Sequence, residues 1–319
     1  MNNFLRLLIY RGSAAIGTLV FTIYVYIFSS KEEASLTFSF VLIIYLLSMV
    51  ARFGLDIVVV KDISRMNKRD SRDLFSKVLM FLVLSSLFLS LIIYCLYLIF
   101  EKNQELLYLA LNLVPFSVWM PISCYFRAQE ERFKSALFEP GNIFLFTTLF
   151  LFLSQSSSVL IVFSFVSWFA FISVLIYLYT SRYISMTDKN FHGWLQLVKS
   201  GLGYMALAVI SYLTLWLPAF FIKLSSPNAF IDYNLAVRLI APFTFIITTV
   251  DFYLSSRFSK SYFESNYVLI IKDIKLFRKF FLVFGSIYLI LTLLVMLITS
   301  NFGYINTSVV NFYATILIG

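Results

Sequence analysis

Four ionisable side chains stand inside long apolar runs: Arg52 and Asp56 in VARFGLDIVVV, Arg238 in NLAVRLIAPF, and Asp251 in TTVDFYL. A charge at the centre of a bilayer costs about 2.5–3.5 kcal/mol, so each must be paired, reach water or serve a polar path. Two arginines at different depths could give an anion two stations, and guanidinium forks suit phosphate. Against this, Arg52 and Asp56 are four residues apart and can pair along a helix, and both arginines are long enough to snorkel. Both readings of Arg52 stay open. For Arg238 the anion-station reading is favoured, since no acid lies three or four residues from it. Asp56 and Asp251 sit nearer the inner interface, where a structural role competes with gating or coupling.

The elements that carry these residues follow from composition. The 319 residues are 61% hydrophobic and 13% charged, with a mean hydropathy of +0.89. A soluble domain carries about 25% charged residues, so much of this surface must face lipid. Nine runs are long enough to span: 9–28, 35–58, 78–100, 106–126, 136–153, 159–179, 201–222, 231–255 and 280–299. A tenth, 308–319, is too short. The expected fold is an all-α polytopic membrane protein with about nine complete helices and the start of a tenth. At 1.5 Å per residue, Arg52 lies about 7 Å to the inner side of its span's midpoint and Arg238 about 8 Å to the outer side of its own.

Lys and Arg orient the spans. With the N-terminus in the cytoplasm, inside segments hold 20 of the 25 basic residues and outside loops only Lys31, Lys102 and Lys223. This bias predicts a multi-pass protein of a bacterial cytoplasmic (inner) membrane, with the bilayer as its first partner. The net charge of +9 is spread among the inside loops, which argues against nucleic acid as a partner. Residues 269–279 have amphipathic spacing that would suit an anionic leaflet, or a solvated connector. Cys95 and Cys124 lie in apolar runs without paired spacing, and the single histidine, His192, is read as structural or interfacial. No metal site and no cofactor are expected. Asn112, Pro115, Trp119 and Pro121 mark the fourth span as kinked and partly polar. Glu139-Pro140-Gly141-Asn142 mark the mouth of the fifth, and Pro218 and Pro242 interrupt two later spans. The groups they free must face protein or a watery path.

An internal repeat emerges when Asp56 is set on Asp251. An aliphatic residue precedes each, an apolar one follows, and apolar-Ser-basic recurs seven to nine residues on. Arg11-Gly12-Ser13 and Lys199-Ser200-Gly201 open the first and seventh spans alike. A shift of six spans preserves orientation, so the two halves would form parallel-related repeats. The implied division is residues 1–180 as a six-helix bundle, 181–200 as a cytoplasmic linker, and 201–319 as a second bundle.

Three segments resemble a known family. RFGLDIVVVKDISR at 52–65, FRAQEERFKSALFEPGNI at 126–143 and LPAFFIKLSSPNAFIDYNLAVRLIAPF at 217–243 are similar to helix exits and loops of O-antigen flippases (Wzx type). These belong to the multidrug/oligosaccharidyl-lipid/polysaccharide exporter superfamily. The resemblance implies a MATE-like bundle of about twelve helices around a central cavity. It implies translocation of an undecaprenyl-diphosphate-linked oligosaccharide to the periplasmic leaflet by alternating access, without enzymatic chemistry. Arg238 and Arg52 would bind the anionic head, and other polysaccharide assembly proteins would be partners. The chain stops where the tenth helix of that pattern would begin, which leaves the second bundle incomplete.

Two other functions compete. A drug exporter of the same fold would favour deep acids over deep arginines. A membrane-embedded polysaccharide polymerase would need a large outer loop, and every outer loop here is short.

Overall fold

The computed structural model describes residues 2–100, 103–154, 158–184, 194–240, 267–301 and 307–318, and among these every regular element is a helix. Asp251, His192 and Pro242 lie outside the described residues. The chain is a multi-pass α-helical membrane protein, and five of its helices are long and apolar enough to cross a bilayer.

In order these are α1 (Asn2–Phe28), α2 (Lys31–Arg52), α3 (Leu55–Ile63), α4 (Lys68–Ile99), α5 (Gln104–Ala128), α6 (Arg132–Leu137), α7 (Gly141–Ser154), α8 (Val159–Thr180) and α9 (Trp194–Ser225). A helix over 227–240, here α10, follows, then α11 (Tyr267–Asn301) and α12 (Thr307–Ile318). The crossing candidates are α2, α4, α5, α8 and α9. Helix α5 is the axis of the first eight, packed against α2, α3, α4, α6 and α8. Helix α1 lies on α7, and α9 lies on α2 and α3.

Two of the expected continuous spans are broken. The second ends at Arg52, where Phe53 (φ 50°) and Gly54 (φ 68°) both take the left-handed conformation before α3 begins. Gly54 has no Cβ to oppose that geometry. The fifth span is split at Pro140, which cannot donate to the Ala136 carbonyl four residues back. Asn142 Nδ2 donates to that carbonyl instead, at 2.7 Å. Residues 269–279 are continuous with α11, so the amphipathic stretch is the first third of one 35-residue helix. Helix α9 likewise begins at Trp194, within the expected linker.

Close backbone approaches hold the helices together. A Cβ on Gly141 would stand 2.2 Å from the Ala14 carbonyl oxygen, and one on Gly201 would stand 2.1 Å from that of Phe53. Without a hydrophobic force between helices in lipid, such small-residue crossings supply the packing. The first joins α1 to α7; the second seats α9 on the α2–α3 break.

The loops sort into two ends. Lys68, Gln129 and Ser181, from three expected inside segments, border one cavity. At the other end Glu33 accepts a hydrogen bond from the Val159 amide at 2.7 Å, and Glu105 pairs with Lys223 at 3.4 Å. The alternation read from the basic residues is thus present in space.

Candidate functional site

Arg52 is the last residue of α2 and is 7% exposed. Its Nε donates to the Ser48 carbonyl at 3.0 Å, and Nη1 stands 3.5 Å from Asp56 Oδ2. Asp56 lies in the first turn of α3, so the pair ties the two sides of the break together. The depth of the break follows from Ser85, which donates to the Ala51 carbonyl at 2.7 Å. Ser85 is seven residues into the apolar run that starts at Val78, about 10 Å along α4. Arg52 is therefore well inside the apolar layer, as its sequence position suggested, with its charge met by Asp56.

Arg238 differs. Its guanidinium carbon lies 4.9 Å from the centre of the Trp216 ring, and no carboxylate among the described residues pairs with it. It stands eleven residues after the start of α10, about 16 Å along the axis. A cation–π contact is worth about 0.5–1 kcal/mol when exposed and about 2 kcal/mol or more when desolvated. For the half-buried Arg238 that offsets only part of the roughly 2.5–3.5 kcal/mol of a charge at the bilayer centre. The remaining positive charge faces a narrow cleft, with room for about one water (≈ 10 Å³), shared by α1, α2, α7 and α10.

The cleft is polar on one side and aromatic on the other. Thr18, Thr22 and Asn234 border it together with Phe21, Phe38 and Phe144. The polar donors are spent on their own helices: Thr22 bonds the Thr18 carbonyl at 2.8 Å and Asn234 Nδ2 the Phe230 carbonyl at 2.8 Å. Arg238 is left as the principal donor. Arg52 and Arg238 do not meet, yet the fields of both reach Tyr45, whose ring packs edge-on against Phe116 at 4.9 Å. Tyr212 and Trp216 extend the aromatic wall along α9, and the Tyr212 hydroxyl donates to the Leu42 carbonyl at 2.8 Å.

Several features escaped sequence reasoning. Asp232 is 6% exposed at the start of α10, where its carboxylate accepts from the Tyr26 hydroxyl at 3.1 Å and from Ser308. Its signal was visible, an acid one residue inside the 231–255 run. The Glu105–Lys223 pair, which also engages Ser39, joins α2 and α5 to α9 at the end opposite the basic loops. Lys223 is 118 positions from Glu105 and 184 from Ser39, and no local pattern announces either contact.

The kinked spans are satisfied by protein. Pro115 frees the Leu111 carbonyl, which accepts from Trp168 Nε1 at 3.0 Å. Trp119 Nε1 donates to the Glu139 carbonyl at 3.1 Å, and Ser13 to Asn142 Oδ1 at 3.0 Å. These groups brace the bundle and do not line the cleft. Buried Thr37, Ser117 and Ser167 hydroxyls have no protein partner.

Compared with protein-family models, curated proteins and solved structures, the chain matches none. The flippase resemblance rests on the quoted segments alone. The architecture is consistent with membrane transport in general.

Proposed function

We propose that the chain is a flippase for an undecaprenyl-diphosphate-linked oligosaccharide, moving it from the cytoplasmic to the periplasmic leaflet of a bacterial inner membrane. The observation that carries this reading is Arg238, a half-buried cation on a polar cleft with no carboxylate partner among the described residues. A diphosphate head cannot cross hydrocarbon unaided, and a guanidinium at mid-depth would lower that barrier. The cleft has room for about one water (≈ 10 Å³), far below small-ligand pockets of about 300–1,000 Å³. Passage of a glycan therefore requires α9 and α10 to move away from α1 and α2. In this scheme the Glu105–Lys223 pair closes the periplasmic end and the Arg52–Asp56 pair braces the α2–α3 break. Asp251 is carried as a candidate gating or coupling residue with Asp56.

The test is complementation of a strain deleted for its own O-antigen flippase, with surface polysaccharide read on a gel and expression checked by blot. Restoration by the chain and its loss in Arg238→Ala is the expected result. If a well-expressed chain fails in the cognate sugar background, the assignment falls.

A second reading, export of a cationic small molecule, is favoured by Asp232, a buried acid bordering a cavity of ≈ 170 Å³ with Tyr26 and Lys31. Under that reading Asp232→Asn abolishes resistance to a cationic dye while Arg238→Ala leaves it intact.

A further inference from the structure

The end of the bundle that carries the basic loops holds a second polar cavity, of ≈ 130 Å³, away from Arg238. It lies between the first turns of α4, the C-terminal end of α5 and the turn after α8. Lys68 and Arg72 border it from α4. They are four residues apart, so they share one helix face, where like charges repel.

The carboxylates within reach are already committed. Asp70 accepts from Asn67 Nδ2 at 2.8 Å as part of the α4 cap. Glu131, which also borders the cavity, is bound by Lys134 at 2.5 Å. Lys134 is held in turn by the Tyr183 hydroxyl. Neither Lys68 nor Arg72 has a carboxylate partner among the described residues. The Ser71 hydroxyl, fully buried, donates to the Lys68 carbonyl at 3.0 Å and accepts from Gln129 Nε2 at 2.9 Å. That bond fixes the cavity floor and brings α5 against the two cations. The result is a fixed polar recess with an ammonium and a guanidinium on one wall, while the carboxylate that borders it, Glu131, is already bound by Lys134.

We propose that this recess is a phosphate-binding site, occupied by the phosphoryl group of an anionic lipid or by free phosphate. A tetrahedral anion between Lys68 and Arg72 would relieve their repulsion and accept charge-assisted hydrogen bonds from both. Ser181, the exposed residue capping α8, closes the far side and supplies a hydroxyl. The site stands apart from the Arg238 cleft and does not depend on the transport reading.

The experiment uses the purified full chain in detergent. Native mass spectrometry with equal phosphatidic acid and phosphatidylcholine reports lipid binding, and a thermal-shift titration with inorganic phosphate reports the free ion. The wild type prefers phosphatidic acid by about tenfold, shows a saturable phosphate-dependent rise in Tm, or both. Lipid preference without a phosphate response assigns the headgroup as source, and a phosphate response alone assigns the free ion. Lys68→Gln/Arg72→Gln removes the response. Ser181→Phe also removes it by filling the recess while leaving both charges, which keeps the test valid should the neutral pair fold poorly. Arg65→Gln/Arg69→Gln, with the same loss of charge beside the recess, retains it. No response to either probe, equal loss in the Arg65/Arg69 variant, or wild-type binding by Ser181→Phe overturns the proposal.

Discussion

Helices α5 and α9 are both long, apolar and interrupted by proline, yet α5 is an axis and α9 is a wall. In its most apolar stretch α5 is 72% buried and α9 only 17%. Helix α5 is also the least apolar of the five crossing candidates. Asn112 and Ser123 are fully buried in it, donating to the Ser164 hydroxyl and to the Ser135 carbonyl. On α9, Leu207, Ile210, Leu215 and Phe221 face outward. In lipid the outer surface must be apolar, while the interior can hold polar groups that find partners. Apolarity therefore identifies the helices that cross, and the polar residues within them identify the helix at the centre. Arg238, which faces α9 at Trp216, is met by that ring and by no acid among the described residues, which separates a settled interior from an unsettled one.

The largest test of this contrast compares the two glycine crossings. Gly141→Leu drives a Cβ into the Ala14 carbonyl within the α1–α8 body, and Gly201→Leu drives one into the Phe53 carbonyl at the α9 seat. Neither clash is relieved by rotating a side chain. Overpacking typically costs about 1–3 kcal/mol, and more where backbones must part. Gly141→Leu is expected to abolish monodisperse folded protein. Gly201→Leu should leave α1–α8 folded while loosening α9. A protease site introduced between residues 184 and 194 reads the difference: cut wild type co-purifies as one complex, and cut Gly201→Leu separates. Equal behaviour of the two variants would break the comparison.

Next in size is the carbonyl freed by Pro115. Trp168→Phe leaves the Leu111 carbonyl without its indole donor and should cost about 1–2 kcal/mol by the model-peptide range for such bonds. In a Pro115→Ala background the helix regains its own bond, and the same change should cost little. Tyr212→Phe on α9 removes a bond to Leu42, whose carbonyl is already in a helix, and about 0.6 kcal/mol is expected. Melting curves of the five proteins test all of this. A Trp168 effect that persists after Pro115→Ala would refute the account.

The spans were legible because lipid imposes one requirement on every residue facing it, and hydropathy reports that requirement directly. The ends of α1, α4, α5 and α8 follow the sequence reading to within a turn at their outer sides. The breaks were less legible. Phe53-Gly54 and Pro140 each lie inside a run counted as one span, and each break is also where a distant residue packs against the backbone, Gly201 on Phe53 and Ala14 on Gly141. The Arg52–Asp56 pair was readable, since both partners lie on one local stretch. Trp216 under Arg238 was not, because the contact depends on how α9 meets α10. Asp232 was missed for a third reason: it lies at the edge of its run, where an acid passes for a loop residue until Tyr26 and Ser308 close over it.

A smaller effect belongs to Lys223 and Glu105. The lysine side chain is 32% exposed and the carboxylate 14%, so solvent and salt screen the pair. Exposed pairs contribute about 0.2–1 kcal/mol. Lys223→Gln should lower Tm slightly at low ionic strength and have no effect in 1 M salt, where the screening length falls to about 3 Å. A loss that ignores salt would mean that α9 is held there by packing, not charge.

The smallest effect is on the α1–α8 body, at Lys134. Hydrogen bonds to Glu131 and then to Tyr183 hold its ammonium above the ordinary lysine range. The folded state thus keeps this proton at alkalinities where the unfolded chain releases it. Its contribution is complete below the unfolded value, about 10.4, and declines as pH rises from there through the higher folded value. Since the Lys134 side chain is 33% exposed and its partner Glu131 34%, solvent screens the pair and the contribution is small and salt-sensitive. Comparing Tm of wild type and Lys134→Gln from pH 8 upward isolates it from the other titrating groups. The gap between the two should be constant up to about pH 10 and narrow beyond it. A gap that widens with alkalinity would show that the Glu131–Lys134–Tyr183 cluster does not hold a proton on the lysine. The turn joining α5 to α6 would then owe its order to Phe126 and Phe138, which stack at 5.3 Å, and not to charge.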